Sequence, residues 1–340
     1  MKAEAERAIG GETPDAPRES GEGATRRPWR TRAFGLDLEV SFPVPGLAAE
    51  ASPRAASPTS LRLAPREDLR SAWRNASPVR ISERCLEDGR RFTSIDVDPE
   101  LGYLLYARDS GQFWLAADGT RIRCSPLRVP AWRWQRYLIG QVLPFASVLQ
   151  GFEVFHASAV VIADKAVVFV GGAVAGKTTL AVSLALRGAG FLADDVVAVD
   201  ASPAEIRVEP GAGVCNLRRD MAALLSPEQR EQLGEVLGRD RESVRITVPR
   251  RVARLPLAAI YFLERTPKGS LAIERLAPVD PRLFLGSSFN LAIRTPERLA
   301  RQLDLAARVA TQAPSYRVAL PGTLDPAALA SSIERHAAGL

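Results

Sequence analysis

Lysine, histidine, cysteine and long apolar runs are all scarce in this 340-residue chain, and each scarcity narrows what it can be. The three cysteines, Cys85, Cys124 and Cys215, are odd in number and widely scattered. That pattern fits neither a disulfide framework nor a zinc site and leaves small buried thiols. No run of about 18 apolar residues occurs, and the first residues carry mixed charge with no apolar stretch before a cleavage site. Neither a membrane span nor a secretory signal is therefore read, and a cytoplasmic protein is expected. Four of the 45 basic residues are lysine (Lys2, Lys165, Lys177 and Lys268), so the other 41 are arginine. The net charge of +6 is spread along the chain and interleaved with acids, which argues against nucleic acid as a partner.

What is present suits a soluble globular protein: 46% hydrophobic and 25% charged residues, and a length that favours two cores. Residues 1–30 are polar, rich in Gly, Pro, Glu and Arg, and without periodicity, and read as a disordered arm. Residues 31–128 read as a small, antiparallel, β-rich N-terminal domain. Its strands are expected at FGLDLEVSF, PVRISERC, RFTSIDVD, GYLLYAR and QFWLAA, with turns at Asp88-Gly89 and Asp118-Gly119 and a loop from about Ala48 to Ser60. Residues 129–150 read as a bridging helix, because Trp134, Leu138, Val142 and Phe145 recur at helical spacing, with a kink expected at Pro144. Its aromatic residues are expected to pack in the core.

From residue 151 to 340 short apolar runs alternate with helical stretches. ASAVVIA and AVVFVGG read as buried strands joined at Asp164 and Lys165, TTLAVSLALRG as a helix and FLADDVVAVD as a further strand. LPLAAIYFLER, SLAIERLAP and Ser315–Leu320 read as strands, and PERLARQLDLAARVA and Pro326–His336 as helices.

Between the second strand and the first helix lies Gly171-Gly172-Ala173-Val174-Ala175-Gly176-Lys177-Thr178, followed by Thr179. It satisfies the G-x-x-x-x-G-K-[ST] pattern of a phosphate loop. Glycines let backbone N–H groups curl around phosphate, the lysine reaches the terminal phosphates and the hydroxyl binds magnesium. The helix that follows points its positive end at the anion. The flanking strand and helix supply the context the motif requires. A rare lysine stands where a compact ammonium is wanted and a planar guanidinium would be a poor substitute.

Asp194 and Asp195 interrupt the apolar stretch FLADDVVAV, where two adjacent carboxylates are costly to bury without a cation. In a regular strand they would face opposite sides, so both reach one site only if the strand ends or bulges there. His156 opens the strand leading to the loop. His336 is expected at the surface.

These residues together resemble a known family. FHASAVVIADKAVVFVGGAVAGKTTLAVSLALRGAGFLADDVVAVD is similar to the catalytic core of HPr kinase/phosphorylase, bacterial serine kinases related in fold to PEP carboxykinase. The histidine 21 positions before Lys177, the Arg187-Gly188 helix end and the acidic pair ending 18 positions after Lys177 carry the likeness. The resemblance implies an α/β fold, with a P-loop kinase core of mixed sheet and flanking helices after the β-rich N-terminal domain. It implies ATP and magnesium as cofactors, Asp195 as the acid/base group, Lys177 on phosphate, Thr178 on magnesium and His156 near the reacting phosphate. Asp194 is expected to help place metal or substrate.

VEPGAGVCNL resembles the family's second signature, which puts Glu209 in the place of a magnesium ligand. ITVPRRVARLPLAAIYFL resembles its later loop and strand, with Arg251 and Arg254 at two arginines. The chain departs from the family pattern at Ala173, Val174 and Pro210. The opening TRAFGLDLEVSFPVPGL looks like the divergent HPr kinase-like proteins found with ribosomally made peptide clusters, lasso peptides among them. The resemblance thus implies phosphoryl transfer from ATP to a hydroxyl, a serine of a peptide or small protein, by an enzyme whose relatives are often homo-oligomers. A nucleotide-binding module without chemistry and a kinase of a free small molecule are the competing readings.

Overall fold

The computed structural model describes residues 27–49, 57–201, 204–289, 292–322 and 325–340. The expected arm lies outside the described residues except for its last four, and Trp29 and Arg30 already belong to the strand Trp29–Ala33. The N-terminal sheet has eight strands. Four of them, Arg91–Asp98, Gly102–Ala107, Gly111–Leu115 and Arg121–Pro126, pair antiparallel with their chain neighbours, and Val79–Cys85 forms the outer edge. Gly89 and Gly119 take the positive φ their turns require. Phe34 and Gly35, at φ 56 and 80, make the two-residue turn between Trp29–Ala33 and Leu36–Val40, the geometry that matches strand twist.

The sheet is mixed, not antiparallel as expected. Thr59–Leu63, which begins inside the expected loop, inserts parallel to both Leu36–Val40 and Arg121–Pro126. Apolar alternation over five residues was too short to reveal it.

The bridging segment is a helix, Ala131–Tyr137, a π turn, Leu138–Val142, and a second helix, Leu143–Leu149. Pro144 sits at the start of the second helix. Its missing N–H removes a helical hydrogen bond one turn back, so the irregularity falls just before the proline. Trp134, Leu138, Val142 and Phe145 are all buried, and Trp134 packs on Phe42 and Phe113. One apolar core joins the N-terminal sheet, these helices and Val154, Val196, Ala198 and Val214 of the C-terminal part.

The C-terminal sheet is mixed and runs, by hydrogen bonding, Gly190–Ala193, Ala157–Ile162, Lys165–Gly171, Leu255–Thr266, Arg207–Glu209, Val197–Asp200, Glu153–Phe155. Ser315–Pro321 also pairs with Leu255–Thr266, parallel to it. Helices Lys177–Leu186 and Pro326–Ala338 cover one face through Leu180, Leu184, Ala330 and Ile333. Helix Pro296–Gln312 covers the other through Leu305, Ala306 and Val309. Both late helices start on a side-chain cap followed by proline, Thr295-Pro296 and Asp325-Pro326, the residues that satisfy orphan N–H groups at a helix start. The turn after Ala157–Ile162 is centred on Ala163 and Asp164, both at positive φ, one residue earlier than expected.

The single strand expected at FLADDVVAVD is two, Gly190–Ala193 and Val197–Asp200. They lie five positions apart in the hydrogen-bonded order, roughly 24 Å in a flat sheet at the usual strand spacing. Four Cα steps span at most about 15 Å. The sheet must therefore curl until the two strands approach, and the acidic pair sits where the curl closes.

Candidate active site

The phosphate loop is anchored by tight backbone packing. A Cβ on Gly171 would stand 2.8 Å from the carbonyl of Leu263, in the neighbouring parallel strand. Gly176 takes φ 103 and hands the chain to the helix beginning at Lys177. That helix ends as expected at Arg187-Gly188: the Ala189 N–H donates to Leu184 and the Gly188 N–H to Ala185, a paired closure of the last carbonyls. Val174, 65% exposed, sits at φ 62, a conformation β-branched residues rarely adopt.

A cavity of about 1110 Å³ opens over the loop. Ala173 through Leu180 line it together with His156, Asp195, Asn216 and the cations Arg218, Arg219, Arg241 and Arg265. Arg265 reaches over the loop, its Nη2 standing 3.6 Å from where a Cβ on Gly176 would lie. Lys177 is buried and folds back on its own loop, Nζ donating to the carbonyls of Gly171 at 2.7 Å and Gly172 at 3.1 Å. Burial lowers its pKa, and the charges of Asp194 and Asp195 oppose that shift.

The acidic pair forms a strained turn. Asp195 takes φ 65 and the Val196 N–H donates to the Asp194 carbonyl at 2.8 Å, so both carboxylates stay on the loop side instead of alternating. Asp194 is buried; its Oδ1 accepts from Ser158 Oγ at 2.6 Å and from Thr178 Oγ1 at 2.9 Å. Burial, reinforced by the neighbouring Asp195 charge, pushes the Asp194 carboxyl up to about 7, against the pull of those two hydroxyls. Its Oδ2 is buried without a hydrogen-bond partner.

Asp195 Oδ2 accepts from Asn216 Nδ2 at 2.7 Å, and Asn216 Oδ1 accepts from Arg245 Nη1 at 2.9 Å. Arg245 is buried, and burial pushes its pKa down to about 10. His156 Nδ1 lies 2.9 Å from the Asp195 carbonyl. A carbonyl can only accept, so this contact requires the proton on Nδ1 and leaves Nε2 free. The imidazole stacks on Phe289 at 6.4 Å.

The structure thus brings His156, Lys177, Thr178, Asp194 and Asp195 together around Gly171–Thr179. It does not bring Glu209 to them. Glu209 is buried and its carboxylate pairs with Arg32 of the N-terminal sheet at 3.3 Å. The residues after it dock that sheet: the Phe34 N–H donates to Pro210 O at 2.7 Å, the Gly213 N–H donates to Gly46 O at 2.8 Å, and Arg250 donates to Gly211 O and Arg32 O. Arg254 stands 3.9 Å from Asp200, and Arg251 packs its side chain against Gly190; neither lines the loop cavity. His336, expected at the surface, instead packs between Tyr261 and Tyr316 and lies 2.7 Å from the Tyr261 hydroxyl.

Among the described residues no cluster of three or more His, Cys, Asp or Glu side chains could hold a metal. A cation sharing phosphate oxygens needs fewer protein ligands. The orphaned Oδ2 of Asp194 beside the Thr178 hydroxyl fits that kind of site.

Sequence reading missed Ser158, Asn216, Arg245 and Arg265. Ser158 lies on the strand Ala157–Ile162, whereas His156 is the bend just before it, so alternation from His156 gives no signal for Ser158. Asn216 and Arg245 meet only because Val214–Arg218 pairs with Ser243–Thr247 in a separate three-stranded sheet.

No protein-family model and no curated protein sequence matches the chain. Among solved structures, the HPr(Ser) kinase/phosphatase from Coxiella burnetii is similar at 17% identity, covering 54% of this chain and 95% of that one, with a TM-score of 0.29. The mixed α/β architecture stands on the strands and helices described above. Among the described residues no helix is long and apolar enough to cross a membrane.

Proposed function

We propose that the protein transfers the terminal phosphoryl group of ATP to a hydroxyl, a serine of a peptide or small protein. The observation that carries this reading is the hydrogen bond from Thr178 to Asp194 at 2.9 Å, which ties the acidic pair to the phosphate loop. Phosphoryl transfer has a loose transition state, so positioning and charge neutralisation are the main requirements. The loop amides and the start of helix Lys177–Leu186 would hold the phosphates. Lys177 would exchange its two loop carbonyls for phosphate oxygens, and Arg265 would add charge above them. Thr178 and Asp194 would hold a magnesium ion, which when bound neutralises charge on the phosphates.

Asn216 occupies one oxygen of Asp195, leaving the other to take the proton of the incoming hydroxyl. The oxygen so exposed forms a bond to the terminal phosphorus as the bridging P–O bond breaks, and ADP departs. His156, fixed by the Asp195 backbone, would present Nε2 beside the same centre.

A second reading, a nucleotide-binding module without chemistry, is favoured by the positive φ of Val174 and by Lys177 bonding to its own loop. Incubation with γ-labelled ATP and magnesium, followed by mass spectrometry of peptides and small proteins encoded beside the gene, separates the two. Binding with no labelled acceptor supports the module and removes the kinase.

A further inference from the structure

A second cavity, a groove of about 620 Å³, shares two lining residues with the phosphate-loop cavity among the described residues, His156 and Asp195. No residue of the phosphate loop lines it. One wall comes from the N-terminal sheet through Phe92, Asp109 and Ser110, and the other from the bridging segment through Trp132, Tyr137 and Gly140. Phe289, the ring stacked on His156, also lines it.

We propose that this groove is the acceptor site and that its occupant is an extended peptide segment, with an aromatic or long aliphatic side chain next to the reacting hydroxyl. The proposal rests on the phosphotransferase reading and adds where the acceptor enters and what selects it. Continuity is the first argument. A hydroxyl reaching Asp195 from the groove arrives on the side away from the loop, as a displacement in line with the departing ADP demands.

Lining chemistry is the second argument. Phe92, Trp132, Tyr137 and Phe289 all line the groove and each keeps a minor part of its surface exposed, Tyr137 while its ring packs on Phe113 of the core; apolar and aromatic lining of this kind is what ligand grooves carry. Covering them with an apolar side chain removes that area from water. Charge is the third. The groove holds Arg133 and Arg136 against Asp109, Asp195 and Asp240, and Arg136 is already paired with Asp240 at 2.6 Å. Among the described lining residues there is no cationic surplus for a phosphorylated metabolite or a nucleic acid. Asp109 and Arg133, both exposed, suit the N–H and C=O groups of a peptide backbone.

Space is the fourth argument. A Cβ on Gly140 would meet nothing within 4 Å. Gly140 lies in the π turn, a helix irregularity that recurs at functional sites, and the room above it belongs to the groove.

The test uses the full chain, γ-labelled ATP with magnesium, and a pool of serine peptides randomised on both sides of the serine. Labelled peptides should be enriched in aromatic or long aliphatic residues beside the serine. Gly140→Leu, which fills the open space, and Phe92→Ala, which strips the opposite wall, should each raise KM for a selected peptide at least about tenfold, while KM for ATP stays within about twofold. Unchanged peptide KM in both variants overturns the groove and leaves the kinase reading intact. Labelling of free serine or a sugar in preference to peptides overturns the peptide occupant. If the wild type binds ATP yet labels nothing, the kinase reading falls. In that case the same pool carrying a photoreactive residue decides the groove separately: cross-links mapped to residues 132–141 or Phe289 support it, and cross-links elsewhere or none overturn it.

Discussion

Asn216 donates to the Asp195 carboxylate at 2.7 Å while its own carbonyl is held by the buried guanidinium of Arg245. The amide is thereby oriented, with its donor fixed toward Asp195. Two substitutions separate orientation from stability. Asn216→Ala should lower transfer about 10–100-fold and also destabilise by roughly 1–3 kcal/mol, because Arg245 loses its acceptor inside the protein. Asn216→Asp keeps an acceptor for Arg245 but sets a like charge against Asp195, so stability should be retained and transfer lost. Equal transfer by wild type and Asn216→Asp, read beside their melting curves, would exclude a role for this contact in chemistry.

Asp195→Asn keeps the size and hydrogen-bonding shape of the side chain but cannot accept the acceptor's proton. Transfer should fall about 10²–10⁴-fold, the usual span for a general base, while ATP affinity measured by calorimetry is unchanged. Lys177→Ala should lose both, because the ammonium neutralises the terminal phosphates. Normal transfer by Asp195→Asn would remove the base assignment.

How legible this site was from sequence depended on distance along the chain. The loop, the helix end at Arg187-Gly188 and the acidic pair lie within about 25 residues of one another, and strand and helix periodicity placed the elements around the loop, though it read Gly190–Ala193 and Val197–Asp200 as one strand. The break at Asp194 and Asp195 was conditional in the sequence: two adjacent acids can share one site only if the strand ends, and it does, through a positive φ at Asp195. Asn216, Arg245 and Arg265 come from segments whose pairing depends on sheet topology, which local pattern does not encode. Glu209 illustrates the reverse error. Its place in a motif-like stretch suggested a metal ligand, whereas its partner is Arg32, 177 positions earlier in the chain.

Arg32 and Glu209 make a testable pair for that reason. Arg32→Ala strands a buried carboxylate beside the docked N-terminal sheet and should cost on the order of 3 kcal/mol, whereas Glu209→Gln removes the charge itself and should cost less. The magnesium dependence of transfer should be unchanged in Glu209→Gln. A raised magnesium requirement in that variant would return Glu209 to the metal site.

Val174 holds a left-handed backbone in an exposed loop, where no packing compensates the strain. The conformation costs an ordinary residue roughly 1–2 kcal/mol, and glycine recovers that at an entropic cost of about 0.5–1 kcal/mol. Val174→Gly should therefore raise the melting temperature by a few degrees. It should also tighten ATP binding, since the loop closes on phosphate with less strain. A lower melting temperature together with weaker binding would show that the valine side chain is itself a contact.

Asp194 should make the nucleotide-free protein more stable in acid than its other carboxylates would suggest. Its folded pKa of about 7 lies above the ordinary value of 3.8, so between those values the folded state binds more protons than the unfolded chain. Stability from this group is then fully present below about pH 4 and is lost as pH rises toward 7, by an amount on the order of a few kcal/mol. Asp194→Asn carries no such charge and escapes the loss, while its amide oxygen can still accept from Ser158 and Thr178. Urea unfolding at pH 5 and pH 8 should show the variant gaining on the wild type as pH rises. A difference that stays constant across that interval would mean that Asp194 is already ionised in the folded protein at pH 5, and hence that solvent or a cation reaches its second oxygen.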